Sequence, residues 1–191
     1  IKNGSAVFSE CNGKENARIE DSDVVFSNCK IEMNVIQEGG TAKFENTEIT
    51  ESALLRSRVT SLLGCEIGKM LSQNSGTATV QNTNIGTDVM ISGSSLDMKR
   101  GKILGNLVAV KSVANIETTT ITGSTTLQGT PTTLMLCGIN NLVATEAALL
   151  SMGCSFQVDP VVVGSHVDMA QSGNIKMTGA TLETIMEGGT P

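Results

Sequence analysis

Phe-Ser-Asn-Cys-Lys-Ile at residues 26–31 returns as Phe-Glu-Asn-Thr-Glu-Ile at 44–49 and as Val-Gln-Asn-Thr-Asn-Ile at 80–85. Each copy opens on a large apolar residue, carries a small one at its fourth place and ends on isoleucine, at a spacing of 18 residues or a multiple of it. Extended in both directions, the spacing yields three columns. The first is Phe8, Phe26, Phe44, Leu62, Val80, Met98, Ile116, Leu134 and Met152. The second is Ile31, Ile49, Ile67, Ile85, Ile103, Ile121 and Ile139, with Ile175 rejoining after a slip. Between them lie Cys11, Cys29, Thr47, Cys65, Thr83, Gly101, Thr119 and Cys137. A fixed period of this length, unbroken by insertion, is one structural unit stacked on itself.

Inside each unit, polar and turn-forming residues gather at three corners. One holds Asn3-Gly4, Asp21-Ser22, Gly39-Gly40 and Gly93-Ser94; a second holds Ser9-Glu10, Ser27-Asn28 and Glu45-Asn46. The third holds Lys14-Glu15-Asn16, Thr50-Glu51-Ser52 and Gly86-Thr87-Asp88. Between corners run short segments that alternate apolar and polar, the pattern of half-buried strands. The last of them centres on Val35, Ala53, Leu71, Val89, Leu107 and Val143. Three such strands cannot bury anything alone. Stacked, they predict an all-β fold: a single-stranded parallel β-helix, triangular in section, with about ten coils and a rod length on the order of 50 Å. Helix-pair repeats run to about 33 residues or more, and Thr, Val, Gly and Asn are poor helix formers. The apolar spacing favours a right-handed coil. A left-handed hexapeptide coil needs an aliphatic six residues before each isoleucine, where this chain has Val7, Val25, Lys43, Ser61, Thr79, Asp97 and Asn115. The whole of 1–191 reads as one solenoid domain, with regular coils over 1–144 and less regular ones over 145–191. The chain opens at Ile1 and stops in a turn, Gly188-Gly189-Thr190-Pro191. Since neither end carries a cap, the expectation is a fragment of a longer chain or a solenoid stacked on another subunit.

Composition narrows the function classes. With 19 acidic against 13 basic residues the net charge is −6, and the charges are scattered, which argues against a nucleic-acid phosphate partner. No apolar run is long enough for a membrane-spanning helix, so no membrane insertion is expected. The chain has no Trp, no Tyr and only 4 Phe, so it offers almost no aromatic surface for sugars or bases.

The residues that could carry chemistry are few. The acids Glu45, Glu48, Glu51, Asp88 and Asp97 lie singly at corners, without the paired geometry of a glycosidase, and read as a solvated face. His166 is the sole histidine, and no nucleophile motif accompanies it. Cys11, Cys29, Cys65 and Cys137 share one column and Cys154 falls one residue off it, a placement of small core residues and not of a metal site. Cys11 and Cys29 stand on adjacent copies, within reach of a disulfide, which is left open here. Buried thiols interchangeable with Thr suit a reducing compartment. No cofactor or metal is expected, and no catalytic residue is assigned.

The strand–turn–strand rhythm of 26–31, 44–49 and 80–85 resembles that of the right-handed, pectin-lyase-like β-helix superfamily, which includes polysaccharide lyases, adhesins and phage tail spikes and appendages. The unbroken short coil is also similar to that of bactofilins, β-helices that polymerise end to end. The resemblance to phage appendages implies a non-enzymatic structural module that stiffens a virion component and makes partner or host-surface contacts. It would be made in the host cytoplasm, with a bacterial cytoplasmic or cell-surface protein as the alternative location. Its partners would be other protein subunits, as in a homotrimer, or flanking domains of the same chain. A polysaccharide-binding or -cleaving domain and a bactofilin-like filament subunit are the rival readings. The surface expected to meet a partner lies where the pattern thickens, from Leu134 to Val163, with Met135, Leu142, Val158 and Val162 turned outward.

Overall fold

In the computed structural model, which describes residues 1–158, 160–170, 176–178 and 181–183, each regular turn of chain carries three short strands. In one turn they are Thr41–Glu45, Glu48–Ile49 and Ala53–Arg56. Every pairing is parallel, and each residue meets its counterpart one period on: Phe26 against Phe44, Ile31 against Ile49, Val35 against Ala53. The chain is therefore a parallel β-solenoid of about nine turns with about 18 residues in each.

The three strands of a turn define three faces. The first face is an 11-stranded sheet that runs from Ser5–Ser9 to Thr181–Glu183. The second and third faces, built of two-residue and of three- or four-residue strands, join into one 17-stranded sheet. They join because Thr120–Gln128 and Gly138–Thr145 run through the corner between the faces without a break.

Alternation along the five-residue strands sends every second side chain inward, as the two-residue period of a strand requires. Two residues of each first-face strand from Asp23–Ser27 to Ala148–Met152 are thus buried, for example Ala42 and Phe44, or Leu96 and Met98. The expected columns line the interior: Phe26, Phe44, Leu62, Val80 and Ile116, then Ile31, Ile49, Ile67, Ile85, Ile103, Ile121 and Ile139. Phe8, in the outermost turn, is half-buried against this core. Its ring stacks on Phe26 at 4.9 Å between centroids, and Phe26 stacks on Phe44 at 5.1 Å with an interplanar angle of 1°. Exact periodicity forces this parallel stacking, and each fully buried Ile or Phe adds about 1.5–3 kcal/mol of burial free energy. A further inward column escaped the sequence reading: Ile19, Gln37, Leu55, Gln73, Ile91, Ala109 and Leu127.

Turns approach each other closely at the corner after the isoleucine column. A Cβ added at Gly86 would lie 2.0 Å from the carbonyl oxygen of Gly68, and one at Gly68 would lie 2.0 Å from that of Thr50. Glycine meets that contact at Gly68 and Gly86, while Thr50 and Leu104 hold the same place in the turns on either side.

The period of 18 first breaks after Ile121. Thr120 pairs with Gly138 and Ile121 with Ile139, but then Ser124 pairs with Asn141, so the corner has lost a residue. Across the next turn the spacing is 17, with Leu134 opposite Ser151 and Ile139 opposite Phe156; it returns to 18 at Val143–Val161 and Ala148–His166 and falls to 15 at Val161–Lys176. This corrects several expectations. Ser151 is buried where counting by 18 places Met152, and Met152 is 41% exposed. Leu142, not Val143, takes the inward place opposite Thr125. Leu142 and Val162, both expected to face outward, are 0% exposed. Side-chain direction follows hydrogen-bonded register and not residue count, and a one-residue change of register exchanges the faces. Val162 inherits its direction from Ala144, its buried partner in the preceding turn. Ile175, expected to rejoin the isoleucine column, and the terminal Gly188-Gly189-Thr190-Pro191 lie outside the described residues.

Candidate functional site

Two corners of most turns are built on a residue in the left-handed backbone region. Asn28, Asn46 and Asn82 adopt φ of 53°, 48° and 49°, and Gly64 and Gly153 occupy equivalent places. Asn and Gly tolerate this region best. The amide of Asn46 also donates to the Oδ1 of Asn28 one turn back, at 3.3 Å.

The next residue in each turn belongs to the Cys/Thr column, and its γ atom has a fixed task. Thr47 Oγ1 donates to Glu45 O at 3.0 Å, Thr83 Oγ1 to Gln81 O at 3.0 Å, and Thr119 Oγ1 to Glu117 O at 3.0 Å. The thiols do the same, Cys137 Sγ donating to Met135 O at 3.3 Å and to Ile116 O of the preceding turn at 3.3 Å. In return, backbone N–H groups donate to the γ atom one turn on, as Cys65 N does to Thr83 Oγ1 at 3.3 Å. Cys and Thr interchange because both supply a γ-hydrogen as a second donor to a corner carbonyl that already accepts a backbone N–H from the preceding turn, as Glu45 O does from Asn28 N at 2.9 Å. Gly101 lacks one, and Met98 Cε fills its space. Burial pushes the Cys65 thiol above its ordinary pKa. Cys11 and Cys29, for which a bridge was left open, are both thiols.

The opposite left-handed corner repeats the device with hydroxyls, which the sequence reading took for simple turns. Ser22, Ser112, Thr130 and Ser165 are buried and donate to Glu20 O, Val110 O, Gln128 O and Val163 O at 2.6–3.0 Å. Behind it, Gln37 accepts from Thr60 Oγ1 at 3.3 Å and donates to Gly39 O at 3.3 Å.

The third corner carries an exposed ladder. Asn16 Oδ1 accepts from Asn34 N at 3.1 Å, Asn34 Oδ1 from Ser52 N at 3.1 Å, and Asp88 Oδ1 from Asn106 N at 2.7 Å. Beside it, four of the five acids considered from sequence are held. Lys30 Nζ donates to Glu48 at 2.8 Å, Lys43 pairs with Glu45 at 2.6 Å, Lys69 pairs with Glu51, and Asp88 serves the ladder. The hydrogen bond from Lys30 holds the Glu48 carboxyl below the usual range, and the one from Lys2 does so for Glu20. Among the described residues no group of three or more His, Cys, Asp or Glu converges as metal ligands would. His166 projects from the outward side of the first face.

Of the four residues expected to form a partner surface, the structure places Val158 outward at 52% exposure and Met135 half-buried, while Leu142 and Val162 belong to the core. The apolar surface of this region is made by other residues. Met152 pairs with Met135 on the outward side of the first face, with Leu150 two positions before it. Leu136, in the left-handed region at φ 52°, is 63% exposed, and its Cδ2 overhangs Gly153. A longer stripe runs up the third face, one residue per turn: Ile36, Leu54, Ser72, Met90, Val108, Thr126, Val143 and Val161. Alternation around the buried Val35 and Gln37 predicts this outward column, yet its apolar character shows only when the turns are aligned.

The geometry thus defines a class, the parallel β-solenoids, with hydrogen-bonded ladders at three corners and apolar strips on two faces. Comparison with protein-family models, with curated protein sequences and with solved structures gives no match for the chain.

Proposed function

We propose that this chain is a non-enzymatic structural module of a larger assembly: a stiff solenoid of the right-handed, pectin-lyase-like kind found in phage tail appendages and spikes. It works by holding partner-binding strips at fixed spacing. One observation carries the reading. The first face pairs residue for residue through successive turns, so neither an overhanging loop nor a break interrupts the strand stack from Ser5 to Ala170. Such a stack resists bending because any bend must break many parallel hydrogen bonds and unstack the core together. The acids that a polysaccharide-cleaving enzyme would need are engaged with lysines and backbone amides on the surface. The partners are other subunits, including further copies in a trimer, or flanking domains, and the exposed Leu136, Met152 and Val158 are the residues that would meet them.

The test has two readouts. A tagged copy expressed in the producing cells should co-sediment with assembled particles, and Leu136→Ser with Met152→Ser should release it. The purified protein, incubated with bacterial surface polysaccharides, should yield no new reducing ends or unsaturated products. Turnover of a polysaccharide, or recovery of the tagged chain only in the free soluble fraction, would overturn the proposal.

A further inference from the structure

Cys137 and Cys154 occupy the γ-donor column in successive turns, across the shortened period. Their flanking residues are register partners, Met135 with Met152 and Gly138 with Ser155, so the two cysteines face each other across one strand spacing. That spacing, about 4.8 Å, lies within the Cα separation a disulfide tolerates. The side chains lean unequally. Cys154 Sγ reaches back toward the preceding turn and accepts the backbone N–H of Cys137 at 3.4 Å. Cys137 Sγ donates to Ile116 O at 3.3 Å and Met135 O at 3.3 Å, and Cys154 Sγ donates to Met152 O at 3.6 Å. Closing a bond between the two sulfurs would give up these weak S–H···O bonds. Gly101, in the same column, has no γ atom, so the corner tolerates that loss.

We propose that Cys137 and Cys154 form a peroxide-sensitive pair that closes to an intrachain disulfide and clips together the two turns between which the period shortens. Hydrogen peroxide is small enough to reach a nearly buried sulfur at a corner that carries glycine, Gly153, immediately before it. The Cys154 thiolate attacks one peroxide oxygen, the O–O bond breaks, and the departing hydroxide takes a proton to become water. The Cys137 sulfur then attacks the resulting sulfenic sulfur and expels a second water. Two thiols are oxidised to one disulfide and one peroxide is reduced to two waters. The thiol–thiol hydrogen bond divides the pair, raising Cys137 well above and lowering Cys154, to about 6, from the ordinary thiol value. Cys154, whose sulfur accepts the backbone N–H of Cys137, is the attacking sulfur.

The other stacked pair supplies the internal comparison. Cys11 is partly exposed in the outermost turn, and desolvation together with the neighbouring Cys29 raises its pKa, so access favours it while reactivity does not. Cys65, buried with Thr in the column above and below it, has no cysteine to pair with.

The experiment treats the full native chain with limiting hydrogen peroxide, quenches with an alkylating agent and maps the peptides by mass spectrometry. The expected product is one cross-linked peptide pair joining Cys137 to Cys154, two hydrogens lighter than the reduced peptides and restored by dithiothreitol. Cys65 should remain alkylated as a thiol and react at least about tenfold more slowly. Recovery of Cys137 and Cys154 as two thiols, or as separate sulfinic acids, while the chain is otherwise oxidised would overturn the proposal. So would preferential linkage of Cys11 to Cys29. Cys154→Ser keeps a γ-donor in the column and should leave Cys137 a thiol under the same treatment. Cys137→Ser should trap Cys154 as a sulfenic acid that dimedone captures, and absence of that adduct in the folded variant counts against Cys154 as the attacking sulfur.

Discussion

Turns between Asp23 and Ile121 and turns between Asn140 and Val163 are made of the same residue types, yet they differ in how tolerant they are of counting. In the first region every corner has the same length, so identical residues stack on themselves, as Phe26 does on Phe44. In the second, one corner is a residue shorter, where Ile139-Asn140-Asn141-Leu142 replaces Ile121-Thr122-Gly123-Ser124-Thr125. The strand pairing continues through the change, and Leu142 still falls inside. The comparison teaches that strands preserve side-chain direction through their hydrogen bonds, while corners absorb changes of length.

The sharpest way to break the comparison is by deletion. Removing Gly86 converts Ile85-Gly86-Thr87-Asp88-Val89 into Ile-Thr-Asp-Val, which reproduces the natural short corner. This variant should keep a single cooperative unfolding transition, at a loss of about 1–3 kcal/mol. Removing Thr79 from within the strand Thr77–Gln81 reverses the facing of one end of that strand and should abolish cooperative unfolding. Circular dichroism during urea titration distinguishes the two, and equal damage from both would refute the distinction.

Next in size is the stack itself. Phe44 is fully buried between Phe26 and Leu62, and Phe44→Ala should cost about 3–5 kcal/mol in the same titration. Phe8→Ala, in a half-buried outer turn, should cost distinctly less.

The corners give a smaller effect with opposite signs in the two regions. Asn46 and Leu136 are both left-handed, at φ 48° and 52°, but only Asn is suited to that backbone. Asn46→Leu should destabilise by about 1–2 kcal/mol, and Leu136→Asn should stabilise by up to about the same amount. A stability loss in Leu136→Asn would mean that its contact over Gly153 outweighs the backbone strain.

Smallest is the surface ion pair Lys30–Glu48. The folded-state pKa of Glu48 is depressed by Lys30, so its contribution is present above the unfolded carboxyl value and is lost as pH falls through the folded one. The Lys30 pKa is raised, so the same pair also weakens as pH climbs past the range in which lysine is charged. Glu48→Gln should flatten the acid limb of a thermal-midpoint-against-pH curve slightly, and about 1 M salt should remove the difference.

Much of this arrangement is readable without coordinates. Phe26, Ile49 and Cys65 could be assigned to core columns because a period of 18 leaves no other alignment of so many like residues. The γ-donor role of Thr47 and Cys137 was not readable, since a column of small residues looks the same whether it fills space or satisfies carbonyls. The buried Ser22 and Thr130 were hidden for a related reason, because serine and threonine next to a left-handed residue read as an exposed turn. Of the side chains expected outward between Leu134 and Val163, Val158 is exposed and Met135 half-buried, while Leu142 and Val162 are buried and Leu136, Leu150 and Met152 are exposed instead.

The amino-acid sequence by itself determines that this chain coils, with what period, and which residues form its innermost ladders. Repetition constrains every turn at once, and burial is the only environment common to Ile, Phe and Val at one recurring place. Only the tertiary structure decides which corner absorbs the missing residue, which side chains face outward beyond it, and that Cys137 meets Cys154. Those outcomes depend on register between turns, and register is a property of hydrogen bonds between strands, not of spacing along the chain.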